Sequence, residues 1–300
     1  MTSSARSELR IFCDYLDVTF APDDCPYPDL NRFLLGHDFR VTRDNGGRIL
    51  YVPPAAGRGS LSVEHRPRFA RVSASGGVCS YLRSIHTWDE YLHILATSPH
   101  KVTRVDASAD LALDGADAIA MYQARFPDGS TPLTRKSLKI DYITAVRPDG
   151  RYTGTMSIGY GSAARFTAKV YDKAWEALCK RGETLPPTTR VEVTACKDAG
   201  ATLRDASEPA ALFWHIAAPA LLNRPEGAPM WEPNTDYHPR SRPRDFNTAE
   251  TLRRRVEYSA ELSALSLLAD DLGVEGRRYL LSLIRDRLEA PEALPAAANE

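Results

Sequence analysis

The chain has 300 residues, 43% apolar and 26% charged, with a formal net charge of −1. That is enough for one large domain or two ordinary ones with sizeable cores, and it excludes a polybasic nucleic-acid coat, so any nucleic-acid contact must come from local clusters of cations. Five scattered cysteines with no C-x-x-C spacing argue for reduced thiols rather than a disulfide framework or a Cys-ligated zinc.

Taken in order, D-Y-L-D-V-T-F (14–20) alternates, with Leu16, Val18 and Phe20 on one face and Tyr15, Asp17 and Thr19 on the other, which predicts a half-buried strand. Strand-like pieces follow from Phe39 to Val78, with Gly46-Gly47, Pro53-Pro54 and Gly76-Gly77 read as turns. Thr87 to Ala96 reads as a helix, with Thr87 as N-cap and Glu90 at the capping-box position. In K-V-T-R-V-D-A-S-A-D-L-A-L (101–113), Thr103, Val105, Ala107, Ala109 and Leu111 share one face. Arg104, Asp106, Ser108 and Asp110 share the other, and aspartates are depleted in strands. Ala116 to Phe126 predicts a helix, and residues 138–146 and 152–160 a hairpin around Pro148-Asp149-Gly150. Arg165 to Tyr171 is a strand running into a helix from Asp172 to Arg181, and Thr188 to Ala195 is another strand. Ser207 is read as capping a helix that carries Leu212, Phe213, Ile216 and Leu221. Residues 225–244 read as an extended Pro/Arg-rich linker, and 248–271 and 275–289 as two amphipathic helices. The expected fold is α+β: a largely antiparallel sheet with helices packed on one face, built from palm- or ferredoxin-like halves. The expected division is a body of residues 1–205 and a helical extension of residues 206–300.

Two features carry chemistry. The strands place Asp17, Asp106, Asp110 and Glu192 on polar faces. If the strands are neighbours, these carboxylates converge and need a divalent cation such as Mg²⁺ or Mn²⁺, or basic partners, to offset their repulsion. A solvated face with Arg104 and Arg190 as counter-charges is the alternative. In T-A-K-V-Y-D-K (167–173), Lys169, Tyr171 and Lys173 alternate onto one side. A phenol has a pKa near 10, so it attacks a phosphate only if a base, a metal or adjacent cations favour the phenolate; the plain alternative is a packed strand end. The seven histidines form no close ligand pair, and P-loop, G-x-G-x-x-G and G-x-S-x-G patterns are absent. Arginines interleave with aromatic residues in D-Y-H-P-R-S-R-P-R-D-F, which suits contact with a nucleic-acid backbone as well as a solvated linker.

Together, D-Y-L-D-V-T-F, R-V-S-A-S-G-G, H-K-V-T-R-V-D-A-S-A-D, G-S-x₇-V-Y-D-K and T-R-V-E-V, in that order, resemble the replication initiation factor family. These are rolling-circle initiators of filamentous phages and small plasmids, related to staphylococcal plasmid Rep proteins. The resemblance spans roughly residues 11 to 200. It implies an endonuclease and strand transferase acting on single-stranded or cruciform origin DNA, with Mg²⁺ or Mn²⁺ as cofactor. It makes residues 1–205 a nicking domain and the extension an accessory or DNA-binding region. By motif, Tyr171 is the nucleophile with Lys173 and Lys169 beside it. Asp106, Asp110 and Glu192 are the metal set; Arg165, Arg104 and Arg190, together with Arg240, Arg242 and Arg244 of the Arg-rich stretch beyond the resemblance, are read as DNA contacts. The family's Gly-Ser-Arg run is altered to Gly161-Ser162-Ala163-Ala164-Arg165, and Lys169 stands where an arginine is common. A host helicase and a second copy of the chain are implied partners. A non-enzymatic origin-binding protein is the alternative, and a palm-type primase a weaker one, given D-x₃-D in place of D-x-D. The stretch MTSSARSELRIF lacks a signal-like apolar core, and no run approaches the roughly 18 apolar residues of a membrane span. The expectation is a cytoplasmic protein of a bacterial host with no membrane partner.

Overall fold

The computed structural model describes residues 9–45, 47–54, 58–127, 131, 140–159, 164–234 and 273–289. The chain divides into two compact units, residues 1–237 and 238–300.

The first unit is built on a ten-stranded antiparallel sheet. Its strands are β1 (Ile11–Phe20), β2 (Arg40–Asp44), β3 (Arg48–Val52), β4 (Leu61–Arg66), β5 (Phe69–Ala74), β6 (His100–Leu111), β7 (Ile140–Val146), β8 (Tyr152–Ile158), β9 (Phe166–Asp172) and β10 (Thr189–Cys196). Their spatial order is β2-β3-β4-β5-β1-β6-β10-β9-β8-β7. The order repeats a plan. In each half the first strand, β1 or β6, pairs with the fifth, β5 or β10, and the strands between form a meander leading outward. The expected α+β class and antiparallel sheet are what the chain forms.

Helices α1 (Tyr27–Gly36), α2 (Gly76–Ser84), α3 (Trp88–Ala96), α4 (Gly115–Arg125), α5 (Lys173–Arg181), α6 (Leu203–Ser207) and α7 (Ala210–Ala217) complete this unit. The buried set Leu16, Val18, Val72, Val105, Val191 and Val193 faces the helical layer, where Leu82, Leu95, Phe213 and Ile216 cover it. Burying such a side chain is worth about 1.5–3 kcal/mol, so the helices hold to this one apolar face.

Several expectations change. Gly76 and Gly77 do not turn between strands but open α2. A Cβ on Gly77 would lie 2.2 Å from the Arg58 carbonyl oxygen, and one on Gly76 would lie 2.5 Å from Asp14 Oδ1, so close approach is what excludes a side chain there. Thr87 stands at the N-cap of α3, but it makes no capping hydrogen bond; its hydroxyl donates back to the Leu82 carbonyl. The capping box is at α6, between Thr202 and Asp205. The boundary expected at residue 205 moves to 237, because α6, α7 and part of the supposed linker belong to the body. Trp231 is buried, donates Nε1–H to Asp205 at 2.8 Å, and lies 4.8 Å from the His215 ring and 5.6 Å from Phe166. An aromatic with a satisfied N–H ties down a proline-rich stretch that composition alone reads as loose. In the second unit, α8 (Gly273–Glu289) matches the last expected helix. The expected helix over 248–271, and Arg240, Arg242 and Arg244, lie outside the described residues. Among the described residues no helix is long and apolar enough to cross a membrane.

The end of β9 is fixed by Asp172, which is buried and caps α5 by accepting the Trp175 N–H at 2.9 Å. Its other oxygen accepts the Thr153 hydroxyl at 2.6 Å, with Arg147 at 3.5 Å. Gly115 packs on this carboxylate, and a Cβ there would lie 2.2 Å from Asp172 Cβ and Cγ. Gly115→Ala is therefore expected to destabilise the first unit by about 1–3 kcal/mol through overpacking. A denaturant titration should show a lowered midpoint at unchanged slope.

Candidate functional site

The sheet face opposite the helices is polar, and the cross-strand register shows how its side chains meet. One row runs Asp110 on β6, Arg190 on β10, Tyr171 on β9 and Thr155 on β8. The next runs Phe12, Ser108, Glu192, Lys169 and Ser157. A third runs Tyr15, Asp106, Thr194 and Thr167. Tyr171, Arg190, Glu192, Asp106 and Asp110 therefore share one face, as directly opposed antiparallel residues do.

Two bulges interrupt the alternation expected for β1 and β6. Tyr15 is opposite Asp106 while Cys13 is opposite Ala107, which leaves Asp14 as the extra residue. Cys13 and Leu16 are both buried, and Asp14 joins the polar side. On β6, Asp17 opposes Arg104 while Val18 opposes Val102. Thr103 thus leaves the apolar face assigned to it, and Val102 takes its place in the core.

Arg190 is the hub. Its side chain is 11% exposed. Nε and Nη2 donate to the two oxygens of Asp110 at 2.6 and 2.8 Å, and Nη1 donates to Asp14 at 2.9 Å. The guanidinium also lies 5.0 Å from the Phe12 ring centroid. Arg104 forks onto both oxygens of buried Asp106, at 2.8 and 2.5 Å, and stacks 4.3 Å from the Tyr15 ring. Lys169 pairs with Glu192 at 3.5 Å. Lys173 pairs with Glu176 at 2.6 Å and sits 5.6 Å from the Tyr171 ring centroid. Arg165 lies apart from this cluster and donates to the Asp198 carbonyl at 3.0 Å.

Both lysines are thus engaged by carboxylates, Lys169 by Glu192 and Lys173 by Glu176. Burial pushes the Tyr171 pKa well above 10; Arg190 is the main opposing charge, and Glu192, Glu176 and Asp14 push it further up. Burial also raises Asp14, against Arg190 and Lys173. Glu192 is raised by burial and then by Asp106, with Lys169 opposing. Glu176 is the reverse: burial disfavours its charge, but Lys173 and Lys180 bring its pKa down to about 2.

The expected ion set of Asp106, Asp110 and Glu192 is not assembled in this arrangement. Each carboxylate is paired with Arg104, Arg190 or Lys169, and among the described residues no group of three His, Cys, Asp or Glu is placed to hold a metal ion. A guanidinium fork takes both oxygens of a carboxylate, the positions that a metal would require. Sequence reasoning missed Asp14, which is brought in only by the bulge. The buried Ser108 hydroxyl and Asp17 Oδ1, on faces the sequence did assign, have no hydrogen-bond partner.

No protein-family model matches the chain, and no curated protein matches it by sequence. Among solved structures, a rolling circle replication initiator protein from Geobacillus stearothermophilus matches with a TM-score of 0.51 at 16% identity, over 75% of this chain and 93% of that one. The two chains share a fold. The di-domain ARO/CYC BexL, 14% identical over 72% of this chain and all of its own, has a TM-score of 0.20 and implies no common architecture.

Glu192 yields a pH test. Its folded pKa is raised, so its contribution is intact while it stays protonated and is lost as pH rises through that value. Glu192→Gln removes this loss. Its melting temperature is expected to exceed that of the unmutated chain at pH 8, with the two converging near pH 4; a lower value at pH 8 would mean that the Lys169 pair outweighs burial.

Proposed function

We propose that the chain is a DNA-nicking and strand-joining protein of the rolling-circle type, with Tyr171 as nucleophile on single-stranded origin DNA. The observation that carries this reading is the row Asp110–Arg190–Tyr171 on the sheet face left free by the helices. The shared fold with a rolling circle replication initiator, and the resemblance of the sequence blocks, support it.

The Tyr171 oxygen attacks phosphorus, forming a phosphotyrosyl bond to the 5′ side while the bond to the 3′ oxygen breaks. The phenolic proton passes to a carboxylate, and the departing 3′ oxygen takes up a proton to give a free 3′-OH. Glu192 and Asp14, both raised, are better acceptors than Glu176, whose carboxylate is a weak base at a pKa of about 2. Arg190 is the main cation felt by the phenol, and its guanidinium suits the charge that builds on the phosphoryl oxygens. Attack by the new 3′-OH on the phosphotyrosine reverses the step and rejoins strands. No step is assigned to a divalent ion, because the carboxylates are held by arginine and lysine.

The test is incubation of the chain with labelled single-stranded origin DNA, with Mg²⁺, with Mn²⁺ and with a chelator, followed by denaturing electrophoresis. A DNA–protein adduct is expected from the unmutated chain and none from Tyr171→Phe. An adduct that persists in Tyr171→Phe removes this nucleophile, and binding without any cleavage favours an origin-binding protein instead.

A further inference from the structure

A second cationic feature stands well away from Tyr171. Where β6 begins and β10 ends, His100, Lys101, Lys197, Gly200 and Thr202 surround a cavity of about 100 Å³. Lys101 is nine residues from Asp110 along β6, a separation of about 30 Å at about 3.3 Å per residue.

The cavity walls are fixed by backbone. Gly200 has φ +85, and the Asn234 N–H donates to its carbonyl at 2.9 Å. A Cβ at Gly200 would lie 3.1 Å from the Asn234 carbonyl oxygen, so the turn requires glycine for both conformation and clearance. The strap that includes buried Trp231 therefore closes directly onto the turn. Asp198 pairs with Lys101 at 3.6 Å, while its carbonyl accepts Arg165. Burial lowers the Lys101 pKa, Asp198 opposes, and Lys197 lowers it further, so the two ammonium groups feel each other's charge. Positive charges gathered at a formed cavity attract an anion, and a lysine binds phosphate as a point charge without needing a fixed fork.

We infer that this cavity is a phosphate subsite that takes one backbone phosphate of a bound DNA strand. It rests on the reading of the chain as a DNA-acting protein, but not on Tyr171 being the nucleophile.

The test measures binding of a labelled oligothymidylate by anisotropy across a salt series, in a Tyr171→Phe background that prevents cleavage. Lys101→Gln with Lys197→Gln is expected to reduce the slope of log K against log salt by about 1.4, at about 0.7 per lost contact on single strands. Lys197→Gln alone, at an exposed side chain, should reduce it by about 0.7 and serves if the double variant fails to fold. Arg32→Gln, on α1 and 79% exposed, should leave it unchanged. An unchanged slope in the lysine variants, or an equal reduction in Arg32→Gln, overturns the subsite. Inorganic phosphate provides the second arm: phosphate binding abolished by the lysine variants while the DNA slope stays normal would assign the cavity to a free anion and overturn the backbone role. If the unmutated chain forms its adduct while the slope is unaffected, the subsite alone fails. If the slope falls but no adduct forms, the nicking reading alone fails.

Discussion

The Arg190 guanidinium, held between Asp110, Asp14 and the Phe12 ring, is the contact on which the polar face depends. It joins strands β10, β6 and β1 on the side where no apolar core supports them. A buried arginine is costly unless its donors are satisfied, and two carboxylates satisfy it here. The same positive charge is the strongest influence opposing the rise in the Tyr171 pKa. One side chain thus links the cohesion of the sheet to the electrostatics beside the phenol.

The arrangement gains from the plan of the sheet. Both halves return their fifth strand beside their first, so β1 and β6 become the central pair and β5 and β10 flank them. In the first half, β4 and β5 join by a tight hairpin in which Arg66 opposes Phe69. In the second, β9 and β10 are joined through α5, and that difference places Lys173, Glu176 and the Asp172 cap next to Tyr171. The first half has a charged counterpart: Arg71 on β5 lies between Thr19 on β1 and Glu64 on β4, as Arg190 lies between Asp110 and Tyr171. A glutamate held by Arg66 and Arg71 occupies the place of the tyrosine. The two halves thus share a register but differ in chemistry, and the phenol marks the second.

Within the Y-D-K motif, neighbouring residues have opposite tasks. Tyr171 faces the polar side, Asp172 points into the body as a helix cap, and Lys173 opens α5 with its charge returned to Glu176. The motif therefore joins a functional candidate to the structural device that holds it. Gly115, pressed against Asp172, extends that device into α4.

Much of this was legible in the sequence. Period-two alternation located β1, β9 and β10, and the polar faces of β6 and β10 follow from the pleat, since residues two apart must point the same way. That local rule is why Asp106, Asp110, Tyr171, Arg190 and Glu192 could be named from the chain alone. It could not show which strand lies beside which, nor where one extra residue shifts the pattern. Asp14 was therefore missed and Thr103 misplaced, and the proline-rich stretch around Trp231 read as linker. The sequence by itself determined the alternation, the helix after Tyr171 and the charges each strand carries. Only the tertiary structure decided which cations the carboxylates meet: Arg104 on Asp106, Arg190 on Asp110 and Lys169 on Glu192. Pairing between distant strands sets which charges meet, and that depends on burying one apolar face as a whole.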